Sequence, residues 1–156
     1  MATKKITAGL LMYRMKNGSP EILLVHPGGP YHAKKEDAVW SIPKGLTNDG
    51  EDLLETAKRE FTEETGIPVP ETAFIRLPDI DTRPDKIVHV WAFEGDCDVT
   101  KIKSNTCMVE WPPRSGKQIE IPEVDRGEFF DLETAKKKLY PYQAGIVDGF
   151  AQSILV

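Results

Sequence analysis

The chain has 156 residues, 40% of them apolar and 29% charged, and its 20 Lys and Arg against 25 Asp and Glu give a formal net charge of -5. That length suits one domain spanning residues 1–156, and the apolar share excludes intrinsic disorder. A net negative chain lacks the basic excess that binding to long nucleic acid requires, because that binding neutralises phosphates with Lys and Arg.

No apolar run approaches the roughly 20 residues needed to cross a bilayer, so no membrane partner is expected. Lys4-Lys5 followed by Ile6 to Tyr13 faintly imitates a secretory leader, but Arg14 and Lys16 follow and no small-residue cleavage site appears. The stretch reads instead as a strand, Lys5 to Met15, which the strong hairpin signal Asn17-Gly18 joins to a second strand at Glu21 to His26. Ile22-Leu23-Leu24-Val25 is a continuous apolar run suited to burial on both faces. His26-Pro27-Gly28-Gly29-Pro30-Tyr31-His32, followed by Lys34 and Lys35, is a Gly/Pro loop that is equally a surface turn or a cover over a polyphosphate. Val39 to Ile42 reads as a short strand leading into Pro43-Lys44-Gly45.

A helix is expected from about Asp52 to Thr65, with Asn48 or Asp49 as its cap and with Gly66 and Pro68 stopping it. At about 100° per residue, Leu53, Leu54, Ala57 and Phe61 share a stripe that should face the core. Val69 to Leu77 and Lys86 to Glu94 read as strands, with His89 a structural member of the second. The segment Asp98 to Gln118, with Trp111-Pro112-Pro113-Arg114 inside it, is poor in regular signals and is expected to form a substrate wall, with Trp111 reading equally as a plug of the core. A loop at Gln118 to Arg126 should precede a strand beginning at Gly127. Ala135 to Tyr140 and Tyr142 to Ile154 read as closing helices, the first with Lys136, Lys137 and Lys138 on a solvated face. Cys97 and Cys107 are too few for a disulfide framework and lack metal or redox spacing, which points to a reduced, cytoplasmic protein. Together the elements predict an α/β fold with a mixed sheet between helices.

Residues 49 to 67 hold Asp49, Glu51, Asp52, Glu55, Glu60, Glu63 and Glu64 against Lys58 and Arg59, a net of -5, while acids and bases cancel over the rest. The whole formal charge therefore equals that of one loop and helix. Glu60 and Glu64 fall beside one edge of the apolar stripe, and Glu63 lies about 60° further round from Glu60. Like charges at these spacings repel unless a cation offsets them. A hard divalent ion such as magnesium or manganese does so, because it prefers carboxylate oxygens.

From Gly45 the chain runs five residues to Glu51 and seven more to Arg59-Glu60-Phe61-Thr62-Glu63-Glu64-Thr65-Gly66-Ile67. This resembles the Nudix box, G-x5-E-x7-R-E-U-x-E-E-x-G-U with U bulky and apolar, at every specified position. The resemblance implies an α/β/α sandwich and a pyrophosphohydrolase using Mg2+, or alternatively Mn2+. It implies Glu60, Glu63 and Glu64 as metal ligands, with the Gly45 carbonyl in reach of a metal. By the same resemblance Arg59 orients the carboxylates, Glu51 holds the loop and Gly66 permits the turn after the helix. Either Glu63 or Glu64 would serve as the base. Related enzymes often take a further ligand from a loop before a late strand, which makes Glu123 the candidate, with Glu120 as the alternative.

Trp40-Ser41-Ile42-Pro43-Lys44-Gly45 is similar to the lead-in of the asymmetric dinucleoside tetraphosphate hydrolases and their inositol polyphosphate relatives. That likeness implies Lys44 as a phosphate contact, with Arg83, Arg114 and Arg126 as helpers and Tyr31, Trp111 or Tyr142 available to stack on a base. The expected substrate is a nucleoside polyphosphate, diadenosine tetraphosphate first, acted on by a monomer or homodimer. The alternatives are a modified nucleoside triphosphate, a sugar nucleotide, an inositol pyrophosphate, or a domain that senses a nucleotide without cleaving it.

Overall fold

Strand β1 (Lys5–Lys16) is the axis of the molecule, and its two halves have different neighbours. Its second half pairs antiparallel with β2 (Ser19–Pro27) from Tyr13 opposite Ile22 to Lys16 opposite Ser19. Asn17 and Gly18 close this hairpin with positive φ of 52° and 81°, the conformation that suits the strands' right-handed twist. Toward the start of β1 the two strands part, and residues 40–46 fill the gap. Ser41 bridges Val25, the Leu10 N–H donates to the Pro43 carbonyl, and β3 (Lys44–Leu46) pairs with Thr7 to Gly9. Only glycine fits at position 9, since a Cβ there would stand 2.8 Å from both the Lys44 Cβ and the Pro43 carbonyl oxygen.

The structure, a computed structural model, describes residues 5–83 and 85–154, without the side chains of residues 82 and 83. Helix α1 (Leu53–Thr65) is followed by β4 (Ile75–Arg83), β5 (Lys86–Glu94), β6 (Thr106–Glu110), β7 (Gln118–Pro122), β8 (Val124–Asp131), α2 (Leu132–Lys138) and α3 (Ala144–Ile154). The main sheet has the order β4-β5-β1-β2-β8 with β3 beside β1, and it is mixed because β1 and β5 run parallel. A separate two-stranded sheet joins β6 and β7.

Alternation along β1 builds a core on each face. Ala8, Leu10 and Met12 meet Ala57 and Phe61 of α1, with Phe61 edge-on to Phe93 at 5.5 Å. On the opposite face Leu11, Leu24 and Val90 meet Trp40, Ala135, Ile146, Val147 and Phe150 under α2 and α3. This is the expected sandwich of helices about a mixed sheet. Among the described residues no helix is long and apolar enough to cross a membrane.

Several boundaries differ from expectation for identifiable reasons. Asp52, rather than Asn48 or Asp49, caps α1 by accepting from the Glu55 N–H, because Glu51 and Asn48 hydrogen-bond to each other in the preceding loop. Val39 to Ile42 makes isolated bridges only, and the regular strand begins two residues later at Lys44. The strand expected from Val69 starts at Ile75, since Pro68 and Pro70 lack the N–H a ladder needs. Pro78 is tolerated because β4 is an edge strand whose register shifts between Leu77 and Ile80. The expected loop at Gln118 to Arg126 is strand on both sides of Glu123, because β7 finds a partner inside the segment that looked irregular. Helix α2 begins three residues early, where Asp131 accepts from the Thr134 N–H, and Lys136 and Lys138 pair with Asp148 and Asp37.

Phe61 joins α1 to the sheet with no solvent exposure. Phe61→Ala should lower unfolding free energy by about 3–5 kcal/mol, read as a reduced urea midpoint. A loss under about 1 kcal/mol would show that α1 does not depend on this contact.

Candidate active site

The loop before α1 and the helix itself are tied through one guanidinium. Arg59 Nε and Nη2 donate to the two Glu51 oxygens at 3.0 Å each, Nη1 donates to Glu60 at 2.9 Å and Glu63 at 3.2 Å, and Nη2 reaches the Leu46 carbonyl at 3.1 Å. Glu51 also accepts from the Thr56 hydroxyl at 2.7 Å and the Asn48 N–H at 3.2 Å. These bonds, with Arg59 foremost, hold the Glu51 carboxyl down at about 2 and push the Arg59 pKa upward. Glu51 is thus a loop anchor and Arg59 an orienting cation.

The opposite shift marks the remaining carboxylates. Burial pushes the Glu64 carboxyl up to about 8, although its Oε2 accepts from the Lys44 N–H at 2.9 Å. Glu60 is raised by burial and then by Glu63, and Glu123 is raised by the same two causes. Glu123 sits at the corner between β7 and β8. Its N–H donates to the Asn105 carbonyl while the Asn105 N–H donates to the Glu63 carbonyl, which fastens that corner to the last turn of α1. Glu120 instead lies exposed on β7 opposite Met108, outside this group.

Among the described residues, no three His, Cys, Asp or Glu side chains already form a ligand set. Arg59 and the Lys44 N–H engage oxygens that a cation would need. The chemistry of the group nevertheless fits a hard divalent ion: Glu60, Glu63, Glu64 and Glu123 are all oxygen donors, and the negative forms of Glu60, Glu64 and Glu123 are disfavoured by burial and by neighbouring carboxylates. Gly45 fits as well, because a Cβ there would lie 2.1 Å from the Glu60 carboxyl carbon. Gly66 takes φ 74° and donates to the Thr62 carbonyl, and a Cβ on it would strike the Lys103 carbonyl oxygen.

Glu64 and Glu123 line a cavity of about 120 Å³ together with Lys44, Ser41, Val39 and Tyr140. The Tyr140 ring stacks on Tyr142 at 6.0 Å, and Gln143 donates to the Ser41 hydroxyl. Tyr140, Ser41 and Val39 were not among the sequence candidates; the Tyr-Pro-Tyr word at 140–142 was the available signal. Of the expected substrate contacts, Lys44 adjoins the carboxylates, while the Arg83 side chain lies outside the described part of the structure. Arg126 pairs with Glu36 and covers Trp40, so it braces the loop at 28–37. Trp111 and Arg114 are at the far end of the β6–β7 hairpin, where Trp111 meets Tyr31 edge-on at 5.0 Å. Tyr142 lies beneath the Lys86 ammonium.

The family model described as NUDIX domain matches residues 3–150. The chain belongs to the NUDIX family. An RNA pyrophosphohydrolase of Cereibacter sphaeroides is 33% identical over 95 residues, covering 56% of this chain and 57% of that protein. A bis(5'-nucleosyl)-tetraphosphatase [asymmetrical] of Mus musculus is 33% identical over 97 residues, covering 55% and 62%. The matches thus span only part of the length of these curated relatives. Among solved structures, a C. elegans Ap4A hydrolase binary complex has a TM-score of 0.66 at 22% identity, covering 97% of this chain and 98% of that one. The NUDIX domain of Shewanella oneidensis NrtR complexed with ADP ribose has a TM-score of 0.62 at 15% identity, covering 100% and 91%. In this NUDIX domain the box occupies β3, the loop after it and α1, which is the region that Arg59 ties together.

The raised carboxyls make a signed prediction for metal-free protein. Glu64 moves from 4.5 to about 8 on folding, so its contribution to stability is complete below the lower value and is lost as pH rises through the upper one. The melting temperature should therefore fall across this window, and Glu64→Gln should flatten the decline; an identical slope in both proteins would refute the assignment. Gly45→Ala, which drives a methyl into Glu60, should leave the fold intact by circular dichroism yet reduce the melting-temperature gain on adding magnesium. An undiminished gain would show that the close approach is irrelevant to metal.

Proposed function

We propose that this protein hydrolyses a pyrophosphate bond in nucleoside polyphosphates, with diadenosine tetraphosphate the first substrate to try. The observation that carries the reading is the gathering of Glu60, Glu63, Glu64 and Glu123 close to one another, with Gly45 against Glu60 and with Glu64, Glu123 and Lys44 together on one cavity. The four carboxylates and the Gly45 carbonyl would hold magnesium or manganese, which when bound supplies charge neutralisation for a pyrophosphate and acidifies water.

The chain's own groups divide the remaining tasks. Lys44 presents its ammonium to the phosphates beside the carboxylates. Arg59, fixed by Glu51, keeps Glu60 and Glu63 turned toward the same space. What supports Glu64 as the base rather than Glu63 is its place on the cavity wall, with one oxygen anchored to the Lys44 N–H. Tyr140 and Tyr142 offer apolar ring surface for a base at the cavity's edge. The complete carboxylate set favours catalysis over nucleotide sensing, because a sensor has no use for a proton acceptor beside its ligand.

Purified protein with magnesium should turn over dinucleoside polyphosphates ahead of sugar nucleotides and inositol pyrophosphates, and products formed in ¹⁸O-water report the attacked phosphorus. Glu64→Gln should lower turnover at least about a hundredfold while remaining folded. Tight nucleotide binding without cleavage of any pyrophosphate would instead identify a sensor.

A further inference from the structure

The β6–β7 hairpin stands apart from the main sheet, and its tip carries groups that the reaction at the carboxylates leaves unused. Residues 111–118 contain two cations, Arg114 and Lys117, and no acid. Glu110, at the base of this tip, spends both carboxylate oxygens on the loop's backbone, accepting from the Arg114 N–H at 2.9 Å and the Gly116 N–H at 3.2 Å. Trp111 N–H to Lys117 carbonyl and Ser115 N–H to Pro112 carbonyl complete a loop with defined geometry. Among the described residues, neither the Arg114 nor the Lys117 side chain has a hydrogen-bond or ion-pair partner; only their backbone groups are engaged.

The aromatic surface beside the tip is also fixed, with Tyr31 exposed and Trp111 half-buried. Tyr31 is 44% exposed although its hydroxyl donates to the Glu110 carbonyl at 2.8 Å and its ring meets Trp111 nearly perpendicularly. Tyr31 ends a segment that starts at the carboxylate cavity. Pro27 lines that cavity, the Gly28 N–H donates to the Glu123 carbonyl, and Gly29 lies against Ile121 with no room for a Cβ. The wall from Glu123 to Trp111 is therefore continuous. With Lys117 opposite Trp111 and six residues from Glu123, it extends roughly 20 Å at a strand's rise per residue.

We infer that the Tyr31–Trp111 pair, with Arg114 and Lys117, is a docking platform for the distal nucleoside of a substrate whose polyphosphate lies at the carboxylates. Two fixed rings and two unpaired cations are what a base and its adjoining phosphate recognise: ring faces stack without regard to base identity, and the cations meet negative charge. The inference rests on the proposed hydrolysis for the placement of the polyphosphate. It adds which residues hold the second nucleoside.

The test compares diadenosine tetraphosphate with adenosine tetraphosphate, which has the same phosphate chain and lacks the second nucleoside. Dissociation constants are measured calorimetrically with magnesium in a Glu64→Gln background, so that binding is read whether or not the wild type turns over. The two-ended ligand should bind more tightly, and Trp111→Ala should reduce that preference roughly tenfold, the size of one lost stacking contact. Trp111→Phe, which keeps a ring face, should restore much of it. Equal affinity for the two ligands, failure to bind either, or an unchanged preference in Trp111→Ala would overturn the platform. So would a 5'-triphosphorylated oligoribonucleotide that outcompetes diadenosine tetraphosphate through Trp111. Loss of the hydrolysis proposal looks different: the preference persists while wild-type protein cleaves neither compound.

Discussion

Crowded carboxylates need a restraint, and in this molecule the restraint is Arg59. One guanidinium takes both oxygens of Glu51 and reaches Glu60, Glu63 and the Leu46 carbonyl. An exposed ion pair contributes at most about 1 kcal/mol, but these partners are mostly covered, with side-chain exposures of 30% for Arg59, 18% for Glu51 and 13% for Glu60. Removing the cation would leave several part-buried negative groups unpaired, which costs far more than the loss of one surface contact. The same arrangement sets two electrostatic classes apart. Glu51, bonded on every side, is held ionised, while Glu60, Glu64 and Glu123 are pushed toward protonation.

The rest of the fold serves to deliver groups to that centre. The parting of β1 and β2 admits residues 40–46 between them, and this places Lys44 and Gly45 against α1. Phe61 and Ala57 seat α1 on one face of the sheet, which leaves its glutamate edge directed toward β3 and β8. Glu123 enters from the other end of the chain through Asn105, whose two backbone hydrogen bonds join the β7–β8 corner to α1. His26 adds a brace behind the site: its buried ring meets Asp125 at Nδ1 and the Lys35 carbonyl at Nε2, linking β8 to the loop at 28–37.

Local signals in the sequence match the structure where the chemistry is local. The span of α1, its apolar stripe and the shared carboxylate edge follow from a 3.6-residue period over thirteen residues, and Asn17-Gly18 specified its turn. Boundaries failed where a partner was distant. The alternation of Gln118-Ile119-Glu120-Ile121 was a strand signal, but without the position of β6 it passed for loop. Pro68 and Pro70 lack the N–H that a ladder needs, and the strand expected from Val69 accordingly begins only at Ile75.

By itself the sequence determined the family, the fold class and the helix that presents Glu60, Glu63 and Glu64, because spacing along one helix is enough to set which side chains share an edge. Only the tertiary structure decided that Glu123 rather than Glu120 joins them, that Tyr140 and Ser41 wall the cavity, and that Trp111 stands far out on a hairpin beside Tyr31. Each of these depends on the register of strands distant in the chain. A slip of one residue turns a side chain to the opposite face, and a single sequence holds no local record of that choice.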